Sequence, residues 1–499
     1  MQSVLSGRAT GPHSERLGDV AMADAVDLEA QIERLLPRLR LAVIFGGDKS
    51  TPGSVVYPSR NTRSWKSYEA VAADIAAALE RIGFRHVCLM PDDMLLGERL
   101  RREGVHMAWM NTGGIQGYNP AAHAPSMLEM FGVPYVGHDP LTATTLDNKH
   151  AFKREALCAG LPTAAFATWH MSRGPFRPAI NSRFKLAFGD YAGPFVVKPV
   201  SGRASLHVHV VEDRAGLPEA VAEVYAATEN LVLIEKYLSG REFCIAVAGP
   251  VMARGRRLMR RGEPFSFAAV ERVLSDDEKI FTSMDVRPIT KDRCHRLDAS
   301  RDPVLNSDLH RLARDVYLEF NLGSLIRIDL RTDENGELKI LEANPKPDLK
   351  LPVGEVTSLI AEGLAETGMG YDDLILSLLA DRVDFLLTHR RQSVRHIIDL
   401  LHSGARPGAA TQTYRKAAVE AAAVEQGATS LHKHAADLAE RADDEAAIAR
   451  LNDATVDANV KALNAVVATL RREADRSSEH ARPGESDQAT GSSALSEVS

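Results

Sequence analysis

Four polar side chains alternate with apolar residues in two neighbouring segments of the chain. Arg327 and Asp329 lie within the apolar run Leu325–Leu330, and Glu342 and Asn344 alternate in the same way in the next run. Alternate residues of a strand point to one face, so each run would place two polar groups side by side. Carboxylate and amide oxygens suit Mg²⁺ or Mn²⁺, which commonly bind where phosphates are handled. The pattern therefore indicates a site for a hard metal ion.

The polar segment Asp333–Gly336 separates the two runs and ends in Asn-Gly. That pair favours positive φ angles and predicts a β-hairpin. An exposed hairpin with a solvated charged face is the alternative interpretation. The neighbours of Arg327 and Asp329 are leucine and isoleucine, which favours a buried strand. A buried charge is costly unless it is paired or binds a metal, so the metal site is the stronger interpretation.

A second charged residue in apolar surroundings is Lys198, in the predicted strand Pro194–Val200. A lysine that points inward from such a strand needs an anion beside it, and phosphate is the obvious candidate. An edge lysine whose ammonium reaches solvent is the alternative. The loop Ser201–Ser205 follows and could cradle phosphates, although it contains one glycine.

The first third of the chain alternates between strand and helix patterns. Predicted strands at Leu39–Phe45, His86–Met90 and Val105–Met110 flank an alanine-rich helix over residues 65–82. This alternation predicts a parallel sheet. Ligands of such sheets bind at the carboxyl ends of the strands, where Asn111–Gly114 follows the third strand.

Further elements follow from apolar periodicity. Helices are predicted at Asp147–Ala159, Ser307–Phe320, Val356–Thr367 and Tyr371–Ala380, and strands at Leu231–Gly240 and Arg241–Val247. Residues 250–300, with the basic run Arg254–Arg261, are predicted to form an irregular charged loop.

Composition restricts the class of protein. The 499 residues exceed what one hydrophobic core usually serves, and the formal net charge of -7 argues against a general nucleic-acid binder. The four cysteines form no CxxC pair, which is typical of a reduced, cytoplasmic protein. No apolar run reaches membrane-spanning length, so we expect no membrane partner.

These segments, in this order, resemble the ATP-grasp superfamily, and within it D-alanine–D-alanine ligase and its relatives. The resemblance runs from about Leu41 to Leu379. It depends on four segments, Val232–Phe243, Arg327–Asp329 with Leu341–Asn344, Pro194–Pro199 and Gly132–Thr163. The resemblance implies an α/β (α+β ATP-grasp) fold, with an N-terminal parallel α/β domain, two ATP-grasp subdomains and a helical C-terminal extension. The predicted boundaries are 1–38 for a disordered lead with a short helix, 39–145, 146–238, 239–389, 390–474 for the helical extension, and 475–499 for a disordered tail.

The resemblance also implies roles for individual residues. ATP phosphates would bind Lys149 and Lys198, and the ribose hydroxyls would bind Glu242. The adenine pocket would be lined by Glu235, Lys236, Tyr237 and Leu238, with backbone groups of Lys236 and Leu238 reading the base. Two Mg²⁺ (or Mn²⁺) ions would be held by Asp329, Glu342 and Asn344. Arg327 and Lys198 would stabilise the reacting groups while a carboxylate and an amine are joined through an acyl phosphate.

Departures from the family pattern concern the substrates. The acidic residue with a Val-Ser pair that follows the first Gly-Gly in the dipeptide ligase is replaced by Asp48–Gly53, and its Ser-Leu pair by Pro347–Pro352. Its tyrosine-bearing loop is replaced by Glu271–Leu274. We therefore expect small carboxylate and amine substrates, amino acids or peptides, other than two D-alanines. A true D-alanine–D-alanine ligase and a non-catalytic nucleotide-binding protein are the alternatives, and a homodimer is left open.

Overall fold

The computed structural model describes residues 28–47, 68–114, 120–202, 205–275, 278–280, 292–352, 357–364 and 367–402. The chain divides into two units, residues 1–410 and 411–499, and every described residue belongs to the first. The predicted disordered lead before residue 28, most of the helical extension and the tail at 475–499 lie outside the described residues.

The N-terminal sheet has four parallel strands in the order β2-β1-β3-β4. Its strands are β1 (Arg40–Gly46), β2 (His86–Asp92), β3 (Met107–Asn111) and β4 (Tyr135–Val136). Its helices are α1, described over residues 28–35, α2 (Glu69–Ile82), α3 (Leu96–Arg102) and α4 (His123–Met130). Helices cover both faces, so residues 41–44 of β1 are all buried apolar residues. The predicted parallel sheet is confirmed.

The second sheet is antiparallel, in the order β5-β8-β6-β7. Its strands are β5 (Phe166–Trp169), β6 (Phe195–Pro199), β7 (His209–Val211) and β8 (Val232–Lys236). The accompanying helices are α5 (Pro140–Asp147), α6 (Lys149–Cys158), α7 (Ser182–Phe188) and α8 (Leu217–Thr228). An aromatic core, with Phe184 and Phe195 fully buried, lies between the sheet and α7 and α8.

The helix predicted over Asp147–Ala159 begins later than expected. Asn148 takes an extended conformation between α5 and α6, and its side-chain oxygen accepts hydrogen bonds from the backbone N–H groups of His150 and Ala151 at 3.1 and 3.0 Å. Asparagine is a strong N-cap, so the chain breaks there. The break makes Lys149 the first residue of α6, at the edge of the cleft described below.

The third sheet has the order β14-β13-β9-β15-β16, with β12 paired to β9, and is antiparallel throughout. Its strands are β9 (Glu242–Ala248), β12 (Phe265–Ser266), β13 (Val270–Arg272), β14 (Cys294–Arg296), β15 (Ile326–Thr332) and β16 (Leu338–Asn344). Helix α9 (Pro303–Glu319) packs on β9 and forms a core with the apolar face of β15. The hairpin β15–β16 is confirmed, with Gly336 at a φ of 80° in its turn.

The prediction of an irregular loop at 250–300 was wrong. Strands β10 (Val251–Arg254) and β11 (Arg257–Arg260) form an antiparallel hairpin inside the basic run. The backbone N–H of Ala253 donates to Ser377 Oγ at 2.8 Å, and that of Val251 donates to Asp381 Oδ1 at 3.1 Å. Both acceptors lie on one long helix, so tertiary packing orders a segment whose composition suggests a solvated loop.

That helix is α11 (Tyr371–His389), which follows α10 (Leu359–Leu364) and packs against α2 and β10. It is longer than the predicted Tyr371–Ala380, and its buried leucines join the N-terminal sheet to the third sheet in one core. No helix among the described residues is long and apolar enough to cross a membrane.

The first unit continues past residue 389, where the sequence placed the end of the second subdomain. A 3-10 turn (Arg391–Val394) leads to α12 (Arg395–His402). Ile397 is 1% exposed, and an Arg38 guanidinium nitrogen donates to the carbonyl oxygen of Leu400 at 2.7 Å. The remaining domain divisions stay predictions.

We expect truncation after residue 390 to destabilise the first unit, and truncation after residue 410 to leave its stability unchanged. The shorter chain loses buried Ile397, and loss of one such side chain typically costs about 2–5 kcal/mol. Urea unfolding of both truncated chains beside the full chain measures the difference. Equal midpoints for the two truncations would show that α12 contributes nothing to this unit.

Candidate functional site

A cleft lies between the second and third sheets. Its empty volume, which includes space open to solvent, is about 920 Å³. The cleft is lined by the predicted residues Lys149, Lys198, Glu235, Lys236, Tyr237, Leu238, Glu242, Asp329 and Glu342, and by the unpredicted Arg272 and Arg331. The structure thus brings most of the sequence-predicted residues to one place.

On the polar face of the β15–β16 hairpin, Asp329 is buried, whereas Arg327, Glu342 and Asn344 are half-buried. Asp329 pairs with Glu342 across the hairpin, and Arg327 pairs with Asn344. The Asp329 carboxylate accepts two hydrogen bonds from Arg327, at 2.7 and 3.0 Å, and a third from Arg272 at 3.1 Å. Asp329 is 3% exposed, which excludes the solvated hairpin.

The Glu342 carboxylate stays ionised because cations lie against it. Lys149 Nζ is 2.9 Å from Glu342 Oε2. Burial opposes ionisation of Glu342, but Lys149 and Lys198 outweigh it and lower the pKa of that carboxyl to about 2. The amide oxygen of Asn344 accepts a hydrogen bond from the backbone N–H of Lys346 at 3.0 Å. The hairpin therefore presents two charged carboxylates and an oriented amide.

Glu235, which was predicted to line an adenine pocket, lies on the cleft wall. Its carboxylate is buried between Lys153 Nζ at 2.7 Å and Lys198 Nζ at 2.5 Å. Burial raises the pKa of Glu235, but the two ammonium groups outweigh it and lower the pKa below its ordinary value. Lys198 is therefore a buried, paired lysine on the cleft wall, and the interpretation as an edge lysine that reaches solvent is excluded.

Lys153 was not singled out from the sequence. It is 0% exposed, and besides Glu235 it donates to Thr163 Oγ1 at 2.6 Å and to the carbonyl oxygen of Ile340 at 3.4 Å. It thus connects α6, β8 and the hairpin that carries Glu342. Its spacing of four residues from Lys149 along α6, which places both on one helix face, was the available signal.

Glu242, the predicted ribose ligand, lies between two arginines. Arg272 on β13 and Arg331 on β15 both pair with it in register across β9. A guanidinium nitrogen of Arg272 is 2.5 Å from Oε1 of Glu242, and one of Arg331 is 3.5 Å from Oε2. Arg331 continues the alternation of Arg327 and Asp329, so it could have been found from the sequence. Arg272 lies in the segment taken for a loop, and no strand pattern marked it.

The predicted adenine wall follows β8. The backbone N–H of Lys236 donates to the carbonyl oxygen of Ala165 at 2.9 Å, so that N–H group is already engaged within the sheet. The Tyr237 hydroxyl donates to the carbonyl oxygen of Lys279 at 2.9 Å, and the Arg331 guanidinium lies 5.0 Å from the Tyr237 ring centroid. Leu238 is buried and contributes an apolar wall.

The donor set fits a hard divalent cation. Asp329, Glu342 and Asn344 supply oxygen atoms from adjacent strands, and Mg²⁺ prefers oxygen ligands. Among the described residues no three His, Cys, Asp or Glu side chains form a metal cluster by themselves. Mg²⁺ often binds through one or two carboxylates together with substrate phosphates, which is the arrangement that this donor set allows.

Comparisons with known proteins agree with this geometry. The family model described as D-ala D-ala ligase C-terminus matches residues 158–380. The chain is 28% identical to a protein of Sinorhizobium fredii named y4sG over 322 residues, 62% of this chain and 86% of that protein. It is 26% identical to D-alanine–D-alanine ligase of Halorhodospira halophila over 310 residues, 62% and 88% of the two chains. The solved D-alanine–D-alanine ligase of Coxiella burnetii shares the fold, with a TM-score of 0.50 and 15% identity over 72% of this chain and 98% of that one.

We expect Glu342→Gln to reduce stability at neutral pH and to have less effect in acid. The folded-state pKa of Glu342, about 2, lies below the ordinary value of 4.5, so its ionisation stabilises the fold above pH 4.5 and that contribution is lost between about 4.5 and 2. Urea unfolding of variant and wild type at several pH values measures the difference.

Glu337→Gln is the matched control, since Glu337 is an exposed glutamate of the same hairpin. Its effect should be small at every pH. A Glu342→Gln difference that stayed constant from pH 7 to pH 3 would contradict the assigned charge state of Glu342.

Proposed function

Since the chain belongs to the D-alanine–D-alanine ligase family of the ATP-grasp superfamily, we propose that it is an ATP-dependent ligase that joins a carboxylate to an amine. The reaction would proceed through an acyl phosphate and release ADP and phosphate. The observation that carries this proposal is the meeting of Asp329 and Glu342 with Lys149 and Lys198 at one cleft.

In the proposed reaction, a carboxylate oxygen of the first substrate attacks the γ-phosphorus of ATP, and the bond from that phosphorus to the bridging oxygen of ADP breaks. The amine of the second substrate then attacks the acyl carbon and displaces phosphate. Lys149 and Lys198 would bind the phosphates as point charges, and Arg327, held by Asp329, would stabilise the negative charge that develops on the attacked group. Bound Mg²⁺, held by Asp329, Glu342 and Asn344, would supply further neutralisation of phosphate charge.

The charge on the cleft walls supports a polyanionic ligand. The lining residues include five cationic side chains and four carboxylates, with Arg327 and Lys153 adding two more cations directly behind them. These groups are already fixed by ion pairs in the folded chain, so few of them must be ordered when nucleotide binds. Preorganised charges of this kind are the main source of electrostatic stabilisation in enzymes.

For the substrates, we propose amino acids or peptides other than two D-alanines, because the segments that would recognise D-alanine depart from the family pattern. Release of ADP in the presence of Mg²⁺ and amino acids, singly and in pairs, with mass spectrometry of the products, tests this. Condensation of two D-alanines would instead establish the true dipeptide ligase. ATP binding without turnover for any pair would favour the non-catalytic alternative. A cytoplasmic location and a homodimer stay predictions.

We expect Asp329→Asn to lower metal-dependent turnover by at least about 100-fold while the protein stays folded. The amide keeps the shape of the carboxylate but loses the charge that attracts a divalent ion. Steady-state ADP release and circular dichroism measure the two effects. Wild-type turnover in this variant would remove Asp329 from the metal site.

A further inference from the structure

Arg272 reaches two carboxylates for which different ligands are predicted, ribose for Glu242 and a metal ion for Asp329. It stands directly opposite Glu242 across the β13–β9 pair, and it is 9% exposed. One guanidinium nitrogen lies 2.5 Å from Glu242 and another lies 3.1 Å from Asp329. A single side chain thus connects the proposed ribose ligand to the proposed metal ligand.

The Asp329 carboxylate therefore faces two permanent cations. Arg327 binds it through two hydrogen bonds, and Arg272 adds a third to Oδ2. Burial lowers the pKa of Arg272, but Asp329 and Glu242 outweigh it and raise the pKa, so the guanidinium is charged throughout the accessible pH range. Asp329 thus has two guanidinium groups beside it, one of which it shares with Glu242.

A divalent ion cannot approach Asp329 favourably while both guanidinium groups remain there. Like charges at a few ångströms repel strongly in a buried site, and Arg272 already uses Asp329 Oδ2. Of the two arginines, Arg272 has a second buried carboxylate, Glu242, on which it can remain. Arg327 and Asp329 lie on the same strand and share two hydrogen bonds, which favours retention of that pair.

We propose that Arg272 is a further catalytic residue, which occupies the metal ligand Asp329 in the nucleotide-free protein and moves to the transferred phosphoryl group when metal and ATP bind. The contact with the phosphoryl group rests on the proposed function. In this exchange Arg272 keeps its ion pair with Glu242, and its guanidinium replaces one anion, Asp329, by another, the γ-phosphate. Guanidinium groups suit phosphate because their parallel N–H donors match its oxygens.

The exchange couples metal binding to nucleotide binding. Without ATP, Arg272 competes with the metal for Asp329, so the metal site is weak. With ATP, the γ-phosphate gives Arg272 an alternative partner and adds its own oxygens to the metal. The guanidinium group of Arg272 therefore reaches the phosphoryl group in the same step that assembles the metal site.

The test is Mn²⁺ binding to the full chain without nucleotide, measured by electron paramagnetic resonance, beside the rate of ADP release with substrates. We expect Arg272→Gln to bind Mn²⁺ about tenfold more tightly than wild type without ATP, and to turn over at least about tenfold more slowly. A merely structural role for Arg272 would weaken both. Unchanged or weaker Mn²⁺ binding in this variant would overturn the proposal.

Arg331→Gln is the matched control, because Arg331 also contacts Glu242 but the described contacts do not join it to Asp329. Its Mn²⁺ affinity without ATP should stay within about twofold of wild type. Arg272→Lys serves if the glutamine variant does not fold: one ammonium group cannot bridge both carboxylates, so Mn²⁺ should bind more tightly than in wild type, and weaker or equal binding would overturn the proposal.

The experiments distinguish a failure of the proposed ligase function from a failure of the proposal for Arg272. If wild type neither binds ATP nor releases ADP with any substrate, the ligase activity is wrong, yet the Mn²⁺ comparison without nucleotide still decides whether Arg272 competes for Asp329. If wild type is active and Arg272→Gln is as active as wild type, the phosphoryl role of Arg272 is overturned while the ligase assignment stands.

Discussion

Charge compensation among four carboxylates is the constraint on which the cleft depends. All four line the cleft: Glu235, Glu242 and Asp329 are buried and Glu342 is half-buried. Unpaired buried anions would be too costly to ionise. Each of the four carboxylates has a lysine or an arginine within 3.1 Å. The cations come from different elements, so the helix α6 and the second and third sheets must be placed correctly before the charges balance.

The three-dimensional arrangement explains how distant segments meet. Lys149 and Lys153 are one turn apart on α6, and they reach Glu342 on β16 and Glu235 on β8. Lys198 on β6 reaches Glu235 on the neighbouring strand of its own sheet. Lys153 also contacts the backbone of Ile340, so the second sheet and the β15–β16 hairpin are positioned by the same buried ammonium group. Movement of either sheet would separate a charge from its partner.

Local signals in the sequence predicted much of this fold, and tertiary contacts determined the rest. The β15–β16 hairpin could be predicted because alternation and the Asn-Gly turn are local, and the parallel sheet because strand and helix patterns alternate. Residues 250–300 could not be predicted because hydrogen bonds from Val251 and Ala253 to a helix more than 120 residues away order the strands. Arg272 was missed for the same reason, since its importance depends on the register of β13 against β9.

The ion pairs of the cleft are better explained by ligand binding than by a contribution to the stability of the fold. Buried ion pairs are weak contributors to stability, and well-packed apolar side chains of similar volume often replace them without loss. A cleft built for stability would therefore place leucine or methionine where Arg272, Glu242 and Asp329 lie. Here the charged groups line an open volume, and Arg272 contacts two carboxylates, so a bound anion can replace one of them without leaving this guanidinium unpaired. That property is expected of a site that exchanges an internal anion for phosphate, as proposed for Arg272.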